Sequence, residues 1–357
     1  MTNIFGREMN KYEIMQRVGD ISQIAGARYS RLCDGKADGM PVIDFKTGSG
    51  FNFSVLPARS MDIAWADYKG NAISFISKTG VVNGENYEHD YDGFHRNFFA
   101  GLLTTCGLRN IGNECNDEEP LGLHGRISNT PAANISINNY WENDELVMSA
   151  SGEIRESKLY CENLLLTRKI TAKMGEKKLT IEDKIENCGF RKEPLTLLYH
   201  FNFGFPLLDE AAKILLPSKR VIPRDEIAKK VVDKYNTIEK PQDEFPETVF
   251  FHELERNNEG NTYAALYNKS LGETGLGIEI KYNGKELPFL TQWKNMGKGD
   301  YVVALEPGNC YPMGREKIRE RDELTILEPG EIKEYKLELN ILDGEKDLNN
   351  LKNWLSK

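Results

Sequence analysis

A two-residue alternation of apolar and polar side chains, repeated in short runs along most of the chain, restricts its fold more than any other feature. Phe51-Asn52-Phe53-Ser54-Val55 alternates strictly, and Asn134-Ile135-Ser136-Ile137-Asn138 does so again with both isoleucines on one face. A period of two is that of a strand with one buried side. Further apolar or alternating runs cover 146–150, 164–170, 179–185, 249–251, 263–267, 276–280 and 337–341. Gly, Asn, Asp and Pro punctuate them. Many short strands with regular turn signals predict an all-β chain, a sandwich or barrel of antiparallel strands, and argue against alternating strand–helix units.

Helices are expected only at the periphery. Met9, Tyr12, Met15 and Val18 recur every three residues in a polar lead-in, 1–20, so one short helix is predicted there, packed outside the body. Leu348, Leu351 and Leu355 share a face, which predicts a short closing helix over 347–357. The most polar interval, 224–247, reads as a long excursion between strands with room for a short helix. No linker, repeat or low-complexity tract divides the chain, so residues 1–357 read as one large domain.

Charge narrows the partners. The formal net charge is -9, and an acidic chain repels phosphate backbones and anionic membranes, so neither nucleic acid nor membrane is expected as a partner. No apolar run reaches the roughly 18 residues of a spanning helix, and the N-terminus has no apolar core of a signal peptide. The six cysteines, 33, 106, 115, 161, 188 and 310, are scattered with no CxxC pair. They read as reduced thiols in a cytoplasmic protein. The oligomeric state has no signature in the sequence.

Chemistry concentrates in a few places. Leu121-Gly122-Leu123-His124-Gly125-Arg126-Ile127-Ser128-Asn129-Thr130-Pro131 places His124 and Arg126 on either side of Gly125, where backbone can approach another chain segment or a ligand closely. His200 lies on the apolar strand 195–204, where it is either a satisfied core histidine or a catalytic imidazole. Glu306 ends the apolar strand 301–305, just before Pro307-Gly308. Burial there raises a carboxyl pKa toward the range of a general base, and a buried structural pair with an arginine is the competing explanation. Arg59 follows a strand and a proline, and either holds substrate or pairs with Asp62. His252 and Trp293 are candidate cleft residues, the indole offering an aromatic face to a sugar ring. His89 and His95 fall in a loop, 83–97, of the kind that can cover a pocket. Neither His124 nor His200 has metal-ligand spacing to another His, Cys or Glu. A nucleophile elbow and a dinucleotide fingerprint are both missing from the sequence. No metal and no cofactor are therefore expected.

Taken in order, Arg59, the Leu-His124-Gly-Arg-Ile-Ser-Asn-Thr-Pro segment, Tyr-His200-Phe-Asn-Phe-Gly and Leu-Glu306-Pro resemble the aldose 1-epimerase (galactose mutarotase-like) superfamily, over about residues 20 to 342. The resemblance implies a large antiparallel β-sandwich of the supersandwich type with a sugar cleft on one face. It further implies that His200 is the general acid, Glu306 the general base, and His124 and Arg59 the substrate-holding pair. Arg126, His252 and Trp293 complete the expected sugar contacts. The aspartate with which mutarotases hold sugar hydroxyls has no counterpart in a matching motif here, and His252 is a candidate for that role. The implied activity is cofactor-free exchange of the α and β anomers of an aldose or aldose derivative. The alternatives are a sugar-binding or sensing protein without turnover, or another sugar isomerase or lyase on the same scaffold. With a ring between them, His200 and Glu306 are expected to face each other across roughly 5 to 9 Å.

Overall fold

The structure is a computed structural model that describes residues 1–88 and 93–354. Two large sheets, one of twelve strands and one of eight, make up most of it, and every strand pair in them is antiparallel. This is the all-β architecture that the alternation predicts.

The eight-stranded sheet begins with a meander of Ala133–Glu142, Glu145–Ser157, Asn163–Lys173 and Lys178–Asn187, and continues through Ile332–Asp343 to Leu276–Asn283. Its strands are half-buried, so period two is plain: Leu164, Leu166, Ile170 and Ala172 point inward, with less buried residues between them, among them Leu165, Thr167, Lys169 and Thr171. The twelve-stranded sheet has at its centre, in order, Thr248–Leu254, Phe289–Gly297, Asp300–Gly308, Glu193–Phe203, Leu103–Leu108 and Asp62–Tyr68. Here Glu193–Phe203 is buried at all 11 positions, because loops cover the sheet's outer face while the other sheet covers its inner face. The largest apolar cluster lies between the sheets and joins residues such as Phe201, Val303 and Leu305 to Ile170, Ile181 and Leu337. No helix among the described residues is long and apolar enough to cross a membrane.

The inward rows are not wholly apolar. Arg168 and Asp183 occupy inward positions directly opposite each other on neighbouring strands. The guanidinium donates to both Asp183 oxygens, at 2.8 and 2.6 Å, and to Asp62 on the facing sheet at 3.0 Å. Thr105 and Tyr199 complete the shell of the two carboxylates. The network joins the two sheets through a fully hydrogen-bonded buried ion cluster.

The ends differ in detail from the expectation. Residues Thr2–Ile4 and Arg7–Met9 form a hairpin, and the helix is short, Lys11–Met15, opened by a capping box between Asn10 and Glu13. Its buried anchor is Ile14. Tyr12 is 73% exposed, so the three-residue spacing did not mark the packed face. The closing helix spans Glu345–Trp354 and buries Leu351; Leu355 lies outside the described residues. The 224–247 excursion contains the short helix Glu226–Lys229 and a 3-10 turn, Val232–Lys234. Lys294 fastens it, donating to the carbonyls of Lys234 and Thr237 and to Glu239.

Candidate active site

Strand register decides which side chains share the outer face of the twelve-stranded sheet. Thr104 stands opposite His200, Phe201 opposite Leu305, and Thr291 opposite Glu306. His200 and Glu306, one residue beyond the Phe201–Leu305 pair on each strand, therefore stand side by side in one row. Cross-strand neighbours in such a row lie about 4.5–5.5 Å apart at Cβ, which brings His200 Nε2 to 3.3 Å from Glu306 Oε1. The expected separation across a ring is thus corrected. The two groups are in contact at one edge of a site, because adjacent strands carry them.

The pair forms the floor of a cavity of about 540 Å³ on the outer face. Aromatic rings enclose the imidazole: Phe98, Trp293 and His124 lie 5.2, 5.6 and 5.9 Å from it, all edge-on. The Trp293 indole donates to Glu247 at 2.9 Å, Glu247 accepts from Arg224 at 2.9 Å, and Lys78 and Asp300 pair at 2.7 Å in the same wall.

Electrostatics at the floor follow from burial. Desolvation pushes the Glu306 carboxyl well above the usual carboxylate range; the nearby Glu247 charge adds to this and Arg224 opposes it. Desolvation also lowers His200 to about 4. His200 Nδ1 and Glu306 Oε1 are buried without a hydrogen-bond partner. An unsatisfied buried polar atom is costly in a native protein, and Glu306 Oε1 stays unsatisfied even though it lies 3.3 Å from His200 Nε2.

His124 reaches the same cavity from the 121–131 loop. It adopts φ 56°, and the following Gly125 has φ 73°. A Cβ at Gly125 would lie 2.3 Å from the Gly107 carbonyl oxygen and 2.6 Å from that of Asn110, so only glycine fits there. His124 Nδ1 accepts from the Gly112 amide at 3.4 Å, which leaves Nε2 carrying the proton of a neutral ring. Desolvation, with the His200 and His95 charges adding to it, holds His124 down to about 3.

Three sequence candidates lie elsewhere. Arg59 is 1% exposed, and its guanidinium donates to the carbonyls of Ser128, Val82 and Asn97. It ties Ser128 of the 121–131 loop to the backbone at Val82 and Asn97 and does not line the cavity, while Asp62 pairs with Arg168 instead. His252 stands opposite Leu290, a core residue, and so points to the inner face, where its ring lies tilted 5.4 Å from that of Tyr235 and bonds Ser218. Arg126 lines a different cavity, since the left-handed pair His124-Gly125 turns the chain between the two side chains. His95 does line the first cavity, but from the short helix Gly93–Asn97 and not from a loop; His89 falls outside the described residues. Sequence reasoning missed Phe94, Phe98, Arg224 and Glu247. The 224–247 excursion delivers the last two from its ends, and only its polarity hinted at a role.

A family profile described as "Domain of unknown function (DUF4432)" matches residues 37–341. No curated protein matches the chain. Among solved structures, a Klebsiella pneumoniae protein provisionally assigned as an aldose 1-epimerase superposes with a TM-score of 0.88 at 23% identity, over 98% of this chain and 90% of that one. A galactose mutarotase-like protein from Clostridium acetobutylicum gives 0.63 at 15% identity, over 90% and 99%. A galactose 1-epimerase from Lactobacillus acidophilus gives 0.57 at 13% identity, over 90% and 100%. At these identities the likeness establishes the galactose mutarotase-like fold.

Proposed function

We propose, for a chain that belongs to the DUF4432 family, an aldose 1-epimerase activity: cofactor-free exchange of the α and β anomers of an aldose or aldose derivative, with His200 and Glu306 as the acid–base pair. The observation that carries this reading is the contact of those two groups, both desolvated, on the floor of an aromatic-lined cavity. Pyranose C–H faces fit such walls.

The chemistry needs one base and one acid at a single carbon. The base removes the proton of the anomeric hydroxyl, the C1–O5 bond breaks, and the acid protonates O5 as the carbonyl forms at C1. Rotation about C1–C2 and reclosure on the other face of the aldehyde, with roles reversed, gives the other anomer. Both oxygens sit on C1, so two groups in contact can serve them together. With one proton between them, the pair always contains one acid and one base. Desolvation makes the pair rest as carboxylic acid and neutral imidazole; when that same proton sits on the imidazole, Glu306 takes the O1 proton and His200 supplies O5. His124 Nε2–H donates to a ring hydroxyl, and Trp293 packs against the ring, so that binding fixes the reacting geometry. Six cysteines, all free thiols, support a reducing, cytoplasmic setting.

The test is exchange of a freshly dissolved α-anomer followed by polarimetry or saturation-transfer NMR across a panel of neutral and acidic aldoses. Exchange faster than in buffer for at least one sugar supports the enzyme. Saturable sugar binding with exchange at the buffer rate would instead make this a sugar-binding protein on the same scaffold.

A further inference from the structure

A second cavity, of about 890 Å³, backs onto the first. The same two loops wall off both. Leu123 and His124 line the first cavity while Gly122, Gly125 and Arg126 line the second, and Asn113 faces the first while Cys115 faces the second. The floor of the second cavity holds three charged side chains that are each more than nine-tenths buried: Arg109, Glu156 and Glu162.

Each of the three carries an atom with no partner. Arg109 donates to Glu193 and, at 2.8 Å, to Glu119, yet its Nε is unpaired. Glu156 Oε2 accepts from the Leu108 amide at 3.0 Å, yet its Oε1 is unpaired, as is Glu162 Oε2. All three residues line the same cavity, so its wall holds two acceptors and one donor that the chain's own groups leave unsatisfied.

The charge balance selects among ligands. Four glutamates in the wall stand against two arginines and one lysine, and burial lifts Glu156 to about 7, so the wall is close to neutral. A charged ligand would find no uncompensated counter-charge. A hydroxyl both donates and accepts, as the orphaned atoms require, and Tyr87, Pro120 and Leu121 supply apolar surface for C–H faces. We propose that this second cavity binds a neutral polyhydroxylated molecule, a cyclic polyol or sugar, held by Glu156, Glu162 and Arg109. Binding there does not depend on turnover in the first cavity, so either reading can fail alone.

The test is isothermal titration of the full chain with myo-inositol, which has no anomeric centre, and with ethylammonium and acetate as charged controls. Gly122 has ordinary φ and nothing within 4 Å of an added Cβ, so Gly122→Trp blocks the cavity without backbone strain. Ser157→Trp, also in the wall, is the second blocking variant should the first fail to fold. Saturable inositol binding is expected, weakened at least about tenfold, or ~1.4 kcal/mol, by a blocking variant and unchanged by Trp293→Ala in the first cavity. Absence of inositol binding, loss in Trp293→Ala, insensitivity to both blocking variants, or preference for either ion would overturn the proposal.

Discussion

Two buried clusters of ionisable groups lie on opposite faces of the twelve-stranded sheet and have opposite character. On the inner face, Arg168, Asp62 and Asp183 meet with every Arg168 nitrogen and all four carboxylate oxygens bonded. On the outer face, His200 and Glu306 touch, yet each keeps a buried atom without a partner. Tyr199 reaches into the first cluster and His200, the next residue, into the second. One strand thus serves structure with one face and chemistry with the other. Burial alone does not distinguish the two roles, whereas satisfaction of hydrogen-bonding capacity does.

The largest effect on stability is expected from Arg168→Met. It leaves Asp62 and Asp183 buried without their cation, and breaking such a cluster costs about 3–5 kcal/mol. That is a large share of the ~5–15 kcal/mol that holds a typical domain folded. Chemical denaturation should show it directly. A loss below about 1 kcal/mol would erase the contrast between the clusters.

The pH profile sharpens the contrast next. The outer pair works while it holds one proton. Acidification below about 4, where His200 gains its charge beside a protonated Glu306, leaves no base. Alkalinisation through the raised Glu306 value removes the one proton and leaves no acid. We expect kcat/KM to fall on both sides of a plateau. A single rise through 6.5, the ordinary imidazole value, would contradict a desolvated pair.

A smaller effect separates cavity from core. Trp293→Ala removes an aromatic face worth about 0.5–1.5 kcal/mol, so KM should rise roughly 2- to 10-fold. His252→Phe, on the inner face, should leave KM and kcat at the parent values. Equal effects of the two on KM would put His252 back in the sugar site.

Strands with one wet face announced themselves in the sequence; register did not. Asn163–Lys173 alternates because it is half-buried, while Glu193–Phe203, buried on both faces, reads only as an apolar run with one histidine. The motif segments around His124, His200 and Glu306 pointed to residues that the fold gathers in one cavity. The contact between the last two depends on pairing of strands about a hundred residues apart, and no local pattern encodes it. The family resemblance made Arg59 a substrate ligand, but it is buried and its guanidinium donates to three carbonyls distant in sequence. His252 is one residue out of register with the site row, and a one-residue offset turns a strand side chain to the other face.

The central claim, that Glu306 is a working base and not a structural carboxylate, is tested most directly by Glu306→Gln, measuring anomer exchange and melting temperature on the same preparation. Glutamine keeps the shape and still accepts a hydrogen bond, but cannot take the anomeric proton. We predict exchange slowed by about 10²- to 10⁴-fold, with sugar binding retained and melting at or above that of the parent, since a desolvated ionisable group is replaced by a neutral one. Exchange at the parent rate, or a protein that melts early, would contradict the account.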